Sequence, residues 1–477
     1  MDTALEVILA LVMMGAALAL GGVQPVAYSL MEISLFLAIL LLLWKQTRAG
    51  QLRLWLPVWP VLFAAWALLQ TIPLPASWIV GSFPMRKLDA GLAGLWPGGW
   101  SWGTLSIYPH DTMVMLLKFL SYLAAFVLAA YLFDSAKRRS TLVGTLVLLG
   151  CFEAVYGLIQ YLTGWQKIFT YSRTYFTADA TGTYINRNHF AGVVELTLPF
   201  AAAMAFYSFQ RISQGGSNGR SARRRGTAGS ETAVFKTLFY LFLTVIMLVA
   251  LLFSRSRGGI LSMVIGLIFI ALMGSIKLQR KSWTLGILFI LVLVMGYGLW
   301  IGLGPVLSRF ESSASLQGLA EEGRITTFQD VRQLIRQHPA FGTGLGTFAI
   351  AIRPYQSISV DKELEHAHDD YLEFVSDVGF PGALLLFLPV FYLFLKMTSR
   401  FMDDPQRYRR AITLGCVGST LAMLVHSALD FNLQIPANAL IFAVVLGIGY
   451  KAACIEPRSS EPRVQEEGRN VFRAGTN

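Results

Sequence analysis

Long apolar runs, broken by proline, glycine and clusters of charge, make up most of the chain. Each is close to the ~20 residues that a helix needs to cross the apolar core of a bilayer. The first run follows Asp2 and includes Glu6 where a signal peptide would carry basic residues, so we interpret it as a retained helix. The pattern predicts twelve spans, at residues 5–23, 26–44, 54–72, 112–133, 141–162, 187–209, 236–253, 259–276, 283–303, 378–396, 411–429 and 435–453.

Composition agrees with this pattern. Of the 477 residues, 55% are hydrophobic and 14% are charged, whereas a soluble domain carries about 25% charged residues. A water-soluble enzyme is excluded, and we predict an all-α polytopic membrane protein. The three cysteines form no CxxC pattern, so we expect neither a disulfide framework nor a cysteine metal site.

The distribution of basic residues predicts the topology. With the N-terminus inside, the inner segments hold 25 of the 39 lysines and arginines, which favours cytoplasmic positions for both termini. A Gly/Ser/Arg-rich stretch between residues 211 and 236 could bind anionic lipid or nucleic acid. We favour a topology-setting disordered loop, and so expect membrane lipids but no nucleic acid as partners.

The chain divides into four parts under this topology. A Trp/Pro/Gly-rich outer loop at 73–111 and the basic inner loop at 210–236 interrupt the first nine spans. Apolar positions between Arg324 and His338 recur at helical spacing, which predicts an amphipathic helix on the membrane or the bundle. The four parts are residues 1–303 with spans one to nine, a large outer loop at 304–377, spans ten to twelve at 378–453, and a cytoplasmic tail at 454–477.

All six histidines fall in outer segments or near outer helix ends. The strongest cluster is His366-Ala-His368-Asp369-Asp370-Tyr-Leu-Glu373, directly before the tenth span. A neutral histidine can take a proton from a hydroxyl, and a neighbouring carboxylate can orient it. The alternative is that an aspartate only caps the following helix. No further ligands stand at a recognised metal-site spacing, so we predict no metal.

A second cluster, Ser254-Arg255-Ser256-Arg257-Gly258-Gly259, separates two apolar runs. An arginine near bilayer depth needs protein, water or an anion around it, and its planar donor fork suits phosphate. The alternative is a short turn with snorkelling arginines. Two arginines in a tight outer turn oppose the positive-inside bias, which favours anion binding.

Four ionisable residues lie inside apolar runs. A proton-coupled transporter would need such residues, although they could instead pair with one another inside the bundle. The sequence leaves both interpretations open for Glu32, Lys118, Glu153 and Glu195.

At this point the motifs resemble those of a known family. His368-Asp369, nine residues and then Gly379-Phe-Pro-Gly382 resemble the His-(Asn/Ser/Gln)-nine-Gly-two-Gly signature of the O-antigen ligase and polymerase superfamily. Ser256-Arg257-Gly258 is similar to its SRG motif. Gly323-Arg324, followed by a helix and residues 339–344, resembles the start of its large periplasmic loop. The resemblance covers residues 190 to 455.

This resemblance implies a bacterial inner-membrane glycosyltransferase of the GT-C class with a periplasmic active site. Members move a glycan from undecaprenyl diphosphate to an acceptor hydroxyl without a metal or other cofactor. His368 would be the general base, while Arg257 and Arg324 would hold the diphosphate with help from Arg255. The residue after His368 departs from the signature, and Asp369 could hold the imidazole by a hydrogen bond.

Residues 183–190 and 426–436 also resemble stretches of members associated with exopolysaccharide. For the candidates in these stretches, packing or helix capping is the alternative role. The candidate pocket residues are Asp369, His366, Asn186, Asn188, His426 and Asp430.

The acceptor would decide the particular activity. Lipid A core would make the protein an O-antigen ligase, and a second lipid-linked glycan would make it a polysaccharide polymerase; a protein hydroxyl would make it a protein O-oligosaccharyltransferase. A different class, a lipid-linked glycan flippase or a proton-coupled transporter, would use the four intramembrane residues. Convergence of His368, Arg257 and Arg324 on one outward cleft would favour the transferase.

Overall fold

The computed structural model describes residues 1–50, 57–75, 102–212, 223–278, 326–357 and 364–454, together with residue 292. Helices make up most of these ranges. The first six are α1 (Asp2–Leu18), α2 (Pro25–Arg48), α3 (Val58–Leu69), α4 (Pro109–Leu132), α5 (Ala136–Thr163) and α6 (Arg187–Ile212).

The second half continues in the same way, with a short helical loop before the last three long helices. These helices are α7 (Arg223–Phe253), α8 (Arg257–Leu278), α9 (326–337), α10 (Phe348–Ala351), α11 (Asp370–Asp403), α12 (Arg407–His426) and α13 (Pro436–Cys454). Two small antiparallel pairs join β1 (Leu74–Pro75) to β2 (Trp102–Gly103) and β3 (Lys167–Ile168) to β4 (Tyr171–Ser172).

Eight helices in the described ranges are long and apolar enough to cross a membrane: α2, α4, α5, α6, α7, α8, α11 and α13. The prediction of an all-α polytopic membrane protein is therefore confirmed. Eleven of the twelve predicted spans coincide with helices, and the remaining one, at 283–303, lies outside the described residues except at residue 292. Of these eleven, α1, α3 and α12 are shorter or more polar than the eight.

Two helices extend beyond the predicted spans. The tenth span was expected to begin at 378, but α11 begins at Asp370 because the Asp369 carboxylate accepts a hydrogen bond from the Leu372 N–H and caps the helix. The segment 210–236 was expected to be a disordered loop, but α6 ends at Ile212 and α7 begins at Arg223. Arginine and alanine are good helix formers even without apolar periodicity.

The centre of the bundle is α6, which packs against α5, α7 and α12 and has nearly every side chain buried. Small residues on α12 allow the close approach. Gly415 lies against the ring of Phe200, and Gly418 lies against Pro199 and Ile270. Glycines of this kind let membrane helices pack at short range, where van der Waals contact supplies most of the attraction.

A kink in α11 organises the loop before it. Gly379 has a φ of 69°, and a side chain there would collide with the carbonyl of Ala340. The kink releases backbone carbonyls that α3 captures, since Trp66 Nε1 donates to Val378 O (2.9 Å) and Gln70 Nε2 donates to Asp377 O (3.0 Å). The glycine of the signature is therefore required by backbone geometry.

The helix predicted in the large outer loop is present over 326–337. Its apolar side is buried against α10 and the segment before α11, in a cluster that includes Val331, Leu334, Phe348 and Ala367. Ile325 and Arg324 lie outside the described residues. Because Ala367 directly precedes His368, this cluster fixes the chain next to the candidate base.

Candidate active site

Four histidines gather at one end of the bundle, which we call the histidine end: His189, His366, His368 and His426. The adjoining helix ends are tied together by hydrogen bonds. The Thr183 hydroxyl before α6 donates to Ala17 O near the end of α1 (2.9 Å), and Asp370 N–H at the start of α11 donates to Ser427 O after α12 (2.8 Å). The predicted topology assigns all these helix ends to one side of the membrane.

The backbone holds His368 in an unusual conformation. Its φ is 53°, in the left-handed region that residues other than glycine rarely adopt. The preceding Ala367 N–H donates to the Glu373 carboxylate (2.8 Å), and the Asp370 N–H is also bonded. Anchors on both sides therefore maintain the strained residue, and residues held in this way often lie at functional sites.

The carboxylate that contacts His368 belongs to Asp430. Its Oδ1 lies 3.3 Å from His368 Nδ1, and it also accepts hydrogen bonds from Asn188 Nδ2 and the Phe431 N–H. The Asp430 side chain is 1% exposed, whereas that of His368 is 43% exposed. Burial favours a higher pKa for Asp430, but the hydrogen bonds from His368 and Phe431 N–H help to hold that pKa well below its usual value.

The expected hydrogen bond from Asp369 to His368 is thus made by Asp430 instead. The Asp369 carboxylate bonds to Leu372 N–H at 3.0 Å, as the alternative capping role proposed. Burial is the main cause that raises the pKa of Asp369. Asn186 has a capping role as well, since its side-chain oxygen accepts from the Asn188 N–H (2.9 Å) at the start of α6.

Phe431 provides an aromatic surface that three of the histidines share. The ring of His366 stacks on it with centroids 4.1 Å apart, while those of His368 and His189 meet it edge-on at 5.0 and 4.7 Å. His366 Nδ1 also lies 2.8 Å from Glu373 Oε1. Burial lowers the pKa of His366, but the charge and hydrogen bond of Glu373 outweigh this effect and raise it above its usual value.

The fourth histidine lies against the glycines of the SRG motif. His426 Nδ1 is 3.0 Å from Glu195 Oε1, and both side chains are fully buried. Gly258 approaches His426 so closely that a side chain there would touch the imidazole, while Gly259 N–H donates to Ser256 Oγ (3.2 Å). Serine and glycine in this motif therefore cap α8 and allow it to pack on α12.

The arginines of the same turn differ in their freedom. Arg257 is exposed, and it has no hydrogen-bond or ion-pair partner among the residues that the structure describes. Arg255, with a φ of 54°, forms an ion pair with Asp179 (3.3 Å), which also binds Arg187 (2.9 Å). Arg257 is thus available to an anion, whereas Arg255 is partly neutralised. Arg324, the other predicted diphosphate ligand, lies outside the described residues.

Several residues of this site were absent from the predicted set. Glu373 anchors His366 and Ala367, Phe431 contacts three histidines, and Asp179 and Arg187 surround Arg255. Glu373 lies one helical turn after the start of α11 and ends the cluster that begins at His366. Its contact with that cluster could therefore have been predicted from the sequence. Phe431 and Arg187 lie next to the predicted residues Asp430 and Asn188, within the stretches 426–436 and 183–190, whereas Asp179 meets the site only through long-range packing.

The fold and site together define a polytopic helical membrane protein with a histidine–carboxylate centre at one end of its bundle, beside an exposed arginine that has no partner in the described part of the chain. Residues 242–387 match the family model described as O-antigen ligase. The resemblance to the O-antigen ligase and polymerase superfamily is therefore confirmed for this segment, and it supports a function of that general type. A comparison with curated proteins gave no match.

The matched segment contains the SRG motif, the large loop, His368 and the glycines of the α11 kink. Asp430 and Asn188 lie outside it. The carboxylate that orients His368 is therefore contributed by a part of the chain beyond the match, and its position became apparent only from the fold.

Proposed function

We propose that this protein is an inverting glycosyltransferase that moves a glycan from undecaprenyl diphosphate to an acceptor hydroxyl. The observation that carries the proposal is the pairing of a half-exposed His368 with the buried carboxylate of Asp430. A histidine oriented by a buried carboxylate, with its other nitrogen directed away from that carboxylate, is the arrangement of a general base. The family match of residues 242–387 supports the same class of reaction.

In the proposed step, His368 Nε2 accepts the proton of the acceptor hydroxyl while the oxygen of that hydroxyl attacks the anomeric carbon of the donor glycan. The bond between that carbon and the diphosphate oxygen breaks, the configuration inverts, and undecaprenyl diphosphate leaves with the bonding electrons. Asp430 stabilises the imidazolium that forms. Arg257, with Arg324 and to a smaller extent Arg255, would neutralise the charge on the leaving diphosphate.

We further propose that the histidine end faces the periplasm and that both termini are cytoplasmic, in the bacterial inner membrane. The opposite end carries basic residues such as Lys45, Arg138, Arg409 and Lys451, several of which pair with nearby aspartates. This asymmetry agrees with the positive-inside rule.

The transporter alternative gains little support from its four residues. Glu153 accepts hydrogen bonds from the Thr183 N–H (2.8 Å) and hydroxyl (2.7 Å), and Glu195 pairs with His426. Lys118 lies over the ring of Tyr28 at 4.0 Å and interacts electrostatically with Glu32. Hydrogen bonds and an ion pair therefore account for Glu153 and Glu195, whereas Glu32 has only the electrostatic interaction with Lys118. The protein-acceptor alternative has no particular observation in its favour.

Glycan transfer by purified protein in nanodiscs tests the proposal directly. The donor is an undecaprenyl-diphosphate oligosaccharide, with a metal chelator present, and the acceptor is either lipid A core or more donor. We expect His368→Ala to reduce the rate by about 10²–10⁴-fold, the usual contribution of a general base. Gln333→Ala, at an exposed position of α9 outside the cluster, is the control.

A product that requires lipid A core would identify a ligase, and a ladder from donor alone would identify a polymerase. Activity of His368→Ala equal to the wild type would contradict the proposed base. No product with either acceptor would direct attention to protein acceptors and to transport.

A further inference from the structure

A polar cavity of about 520 Å³ opens beside the histidine cluster. It is formed by α2, α4, the start of α11 and the segment around α10. Its charged lining comprises Asp111, Lys118, Glu365, His366 and Glu373, and the rings of Tyr28 and Phe348 add aromatic surface. Carboxylates outnumber the basic groups in this lining.

A second cavity, of about 110 Å³, lies deeper in the bundle between α3, α4, α11 and α13. We call it the apolar slot. Its lining is almost wholly hydrocarbon and includes Phe63, Phe119, Phe387 and Phe442. A slot of this character among membrane-spanning helices is suited to a lipid chain and unsuited to sugar or phosphate.

The polar cavity and the apolar slot adjoin each other. Met115 on α4 lines both. At two further points, one of two consecutive residues lines the apolar slot and the other lines the polar cavity. Leu345 and Phe374 line the slot, while their neighbours Gly346 and Glu373 line the polar cavity. Together they have the form that an amphiphile needs, with hydrocarbon below and hydrogen-bonding groups above.

The position of the two cavities relative to Arg257 indicates which of the two substrates they bind. Arg257 begins α8, which packs on α6, α7 and α12, whereas the two cavities are built from other helices. His366 lines the polar cavity and stacks on Phe431, and His368 meets the same ring edge-on. The two cavities therefore reach the base through His366 and Phe431, from helices other than the one that Arg257 begins. An inverting displacement brings the acceptor from the side opposite the leaving diphosphate.

We propose that the polar cavity and the apolar slot bind the acceptor, and that this acceptor is an uncharged, hydroxyl-rich glycan carried on a lipid chain. Sugar hydroxyls donate to the carboxylates of Asp111 and Glu365, and sugar faces pack on the aromatic rings. The acidic lining repels phosphorylated or carboxylated glycans at this position. The assignment rests on the proposed transferase function, and it adds the acceptor site and the chemical class of its ligand.

Acceptor kinetics in nanodiscs test the slot. The acceptor probe is a long-chain alkyl glycoside of a neutral oligosaccharide, which has no diphosphate and so cannot act as a donor; the same oligosaccharide without the chain is the comparison. Ala443 lines the slot, so Ala443→Trp fills it. We expect KM for the alkyl glycoside to rise by about tenfold, since displacing two buried methylenes has that effect. KM for the free oligosaccharide and for the donor should not change.

Ala65→Trp is the matched control, because Ala65 is exposed on α3 and does not line the slot. Asp111→Asn tests the polar cavity, and we expect it to raise KM for both acceptors without changing KM for the donor. A rise in donor KM for Ala443→Trp would assign the slot to the donor's polyprenyl chain and overturn the proposal. So would an unchanged KM for the alkyl glycoside.

A binding measurement separates this inference from the proposed reaction. With p-benzoylphenylalanine at Leu123, which lines the slot, irradiation without donor should capture radiolabelled alkyl glycoside, and excess unlabelled probe should prevent capture. The exposed Leu62 is the control position. If unlabelled probe prevents capture at Leu123 but the protein transfers no glycan, the binding site is supported and the proposed reaction is contradicted. Equal capture at both positions would overturn the site.

Discussion

The strongest quantitative prediction concerns Asp430→Asn, which removes one charge and keeps the shape of the side chain. The two partners lie 3.3 Å apart. An ion pair at this separation is worth about 1 kcal/mol in water and about 5 kcal/mol at an effective dielectric constant of 20. His368 is 43% exposed and Asp430 is buried, so a value near the lower end, about 2 kcal/mol, is appropriate.

This attraction develops as His368 takes up the proton, so its loss should appear in kcat. We expect a reduction of roughly 30-fold, from about 2 kcal/mol of transition-state stabilisation. Single-turnover transfer of a labelled glycan at saturating substrate measures it. Asp330→Asn is the matched control, because Asp330 is a buried carboxylate bonded to Ser357 without a histidine contact.

A double-mutant cycle distinguishes this role from a structural one. In a His368→Ala background, Asp430→Asn should reduce the rate by less than about twofold, because its partner is already absent. Two results would refute the reasoning: a kcat within threefold of the wild type, or an equal loss in both backgrounds. A fall in Tm without a specific fall in kcat would indicate a packing role for Asp430.

Three other predictions follow from separate parts of the site. Arg257→Ala should reduce transfer by roughly 10²-fold without changing Tm, because the guanidinium is exposed and its described surroundings give it no partner; Arg336→Ala, on the solvated face of α9, should change neither. Gly379→Ala should lower the free energy of unfolding by at least about 1–2 kcal/mol, the penalty of a left-handed backbone with a side chain, and thermal unfolding in detergent measures it. The pKa of His366 is raised in the folded protein, so the stabilisation that Glu373 gives to the charged imidazole is fully present below the unfolded pKa of about 6.5. It is lost as pH rises through the higher folded pKa. Tm should therefore fall between these two pKa values in the wild type and not in Glu373→Gln.

The sequence predicted the helices well because crossing a bilayer requires long apolar segments, which can be recognised directly in the sequence. It predicted the position of His368 and of the SRG turn through motif resemblance. It placed the wrong carboxylate beside His368, because Asp369 is adjacent in sequence while helix α11 needs a cap and uses it. Asp430 reaches the imidazole from a turn 62 positions away. Pairings at such separation depend on how helices pack, which local patterns do not encode.

The residues around Phe431 illustrate the same limit. A phenylalanine after an aspartate in a turn carries no signature of a surface for three imidazoles. Its role arises because α6, α11 and α12 bring their ends to one point. The predicted set did include Asn188 and Asp430, which the fold brings into contact with each other, and Asp430 contacts His368.

The short length of α3 has a consequence for the lipid around the protein. Twelve residues of helix cover about 18 Å, whereas the hydrocarbon core of a bilayer is about 30 Å thick. Hydrogen bonds from Trp66 and Gln70 to α11 hold this helix in place, so it cannot tilt or slide to relieve the mismatch. Where a helix is shorter than the hydrocarbon core, a bilayer adjusts by thinning beside it, and we expect this next to α3. Such thinning would lower the head groups of neighbouring lipids toward the apolar slot, which α3 helps to line, and we expect a lipid-borne substrate to enter on that flank of the bundle.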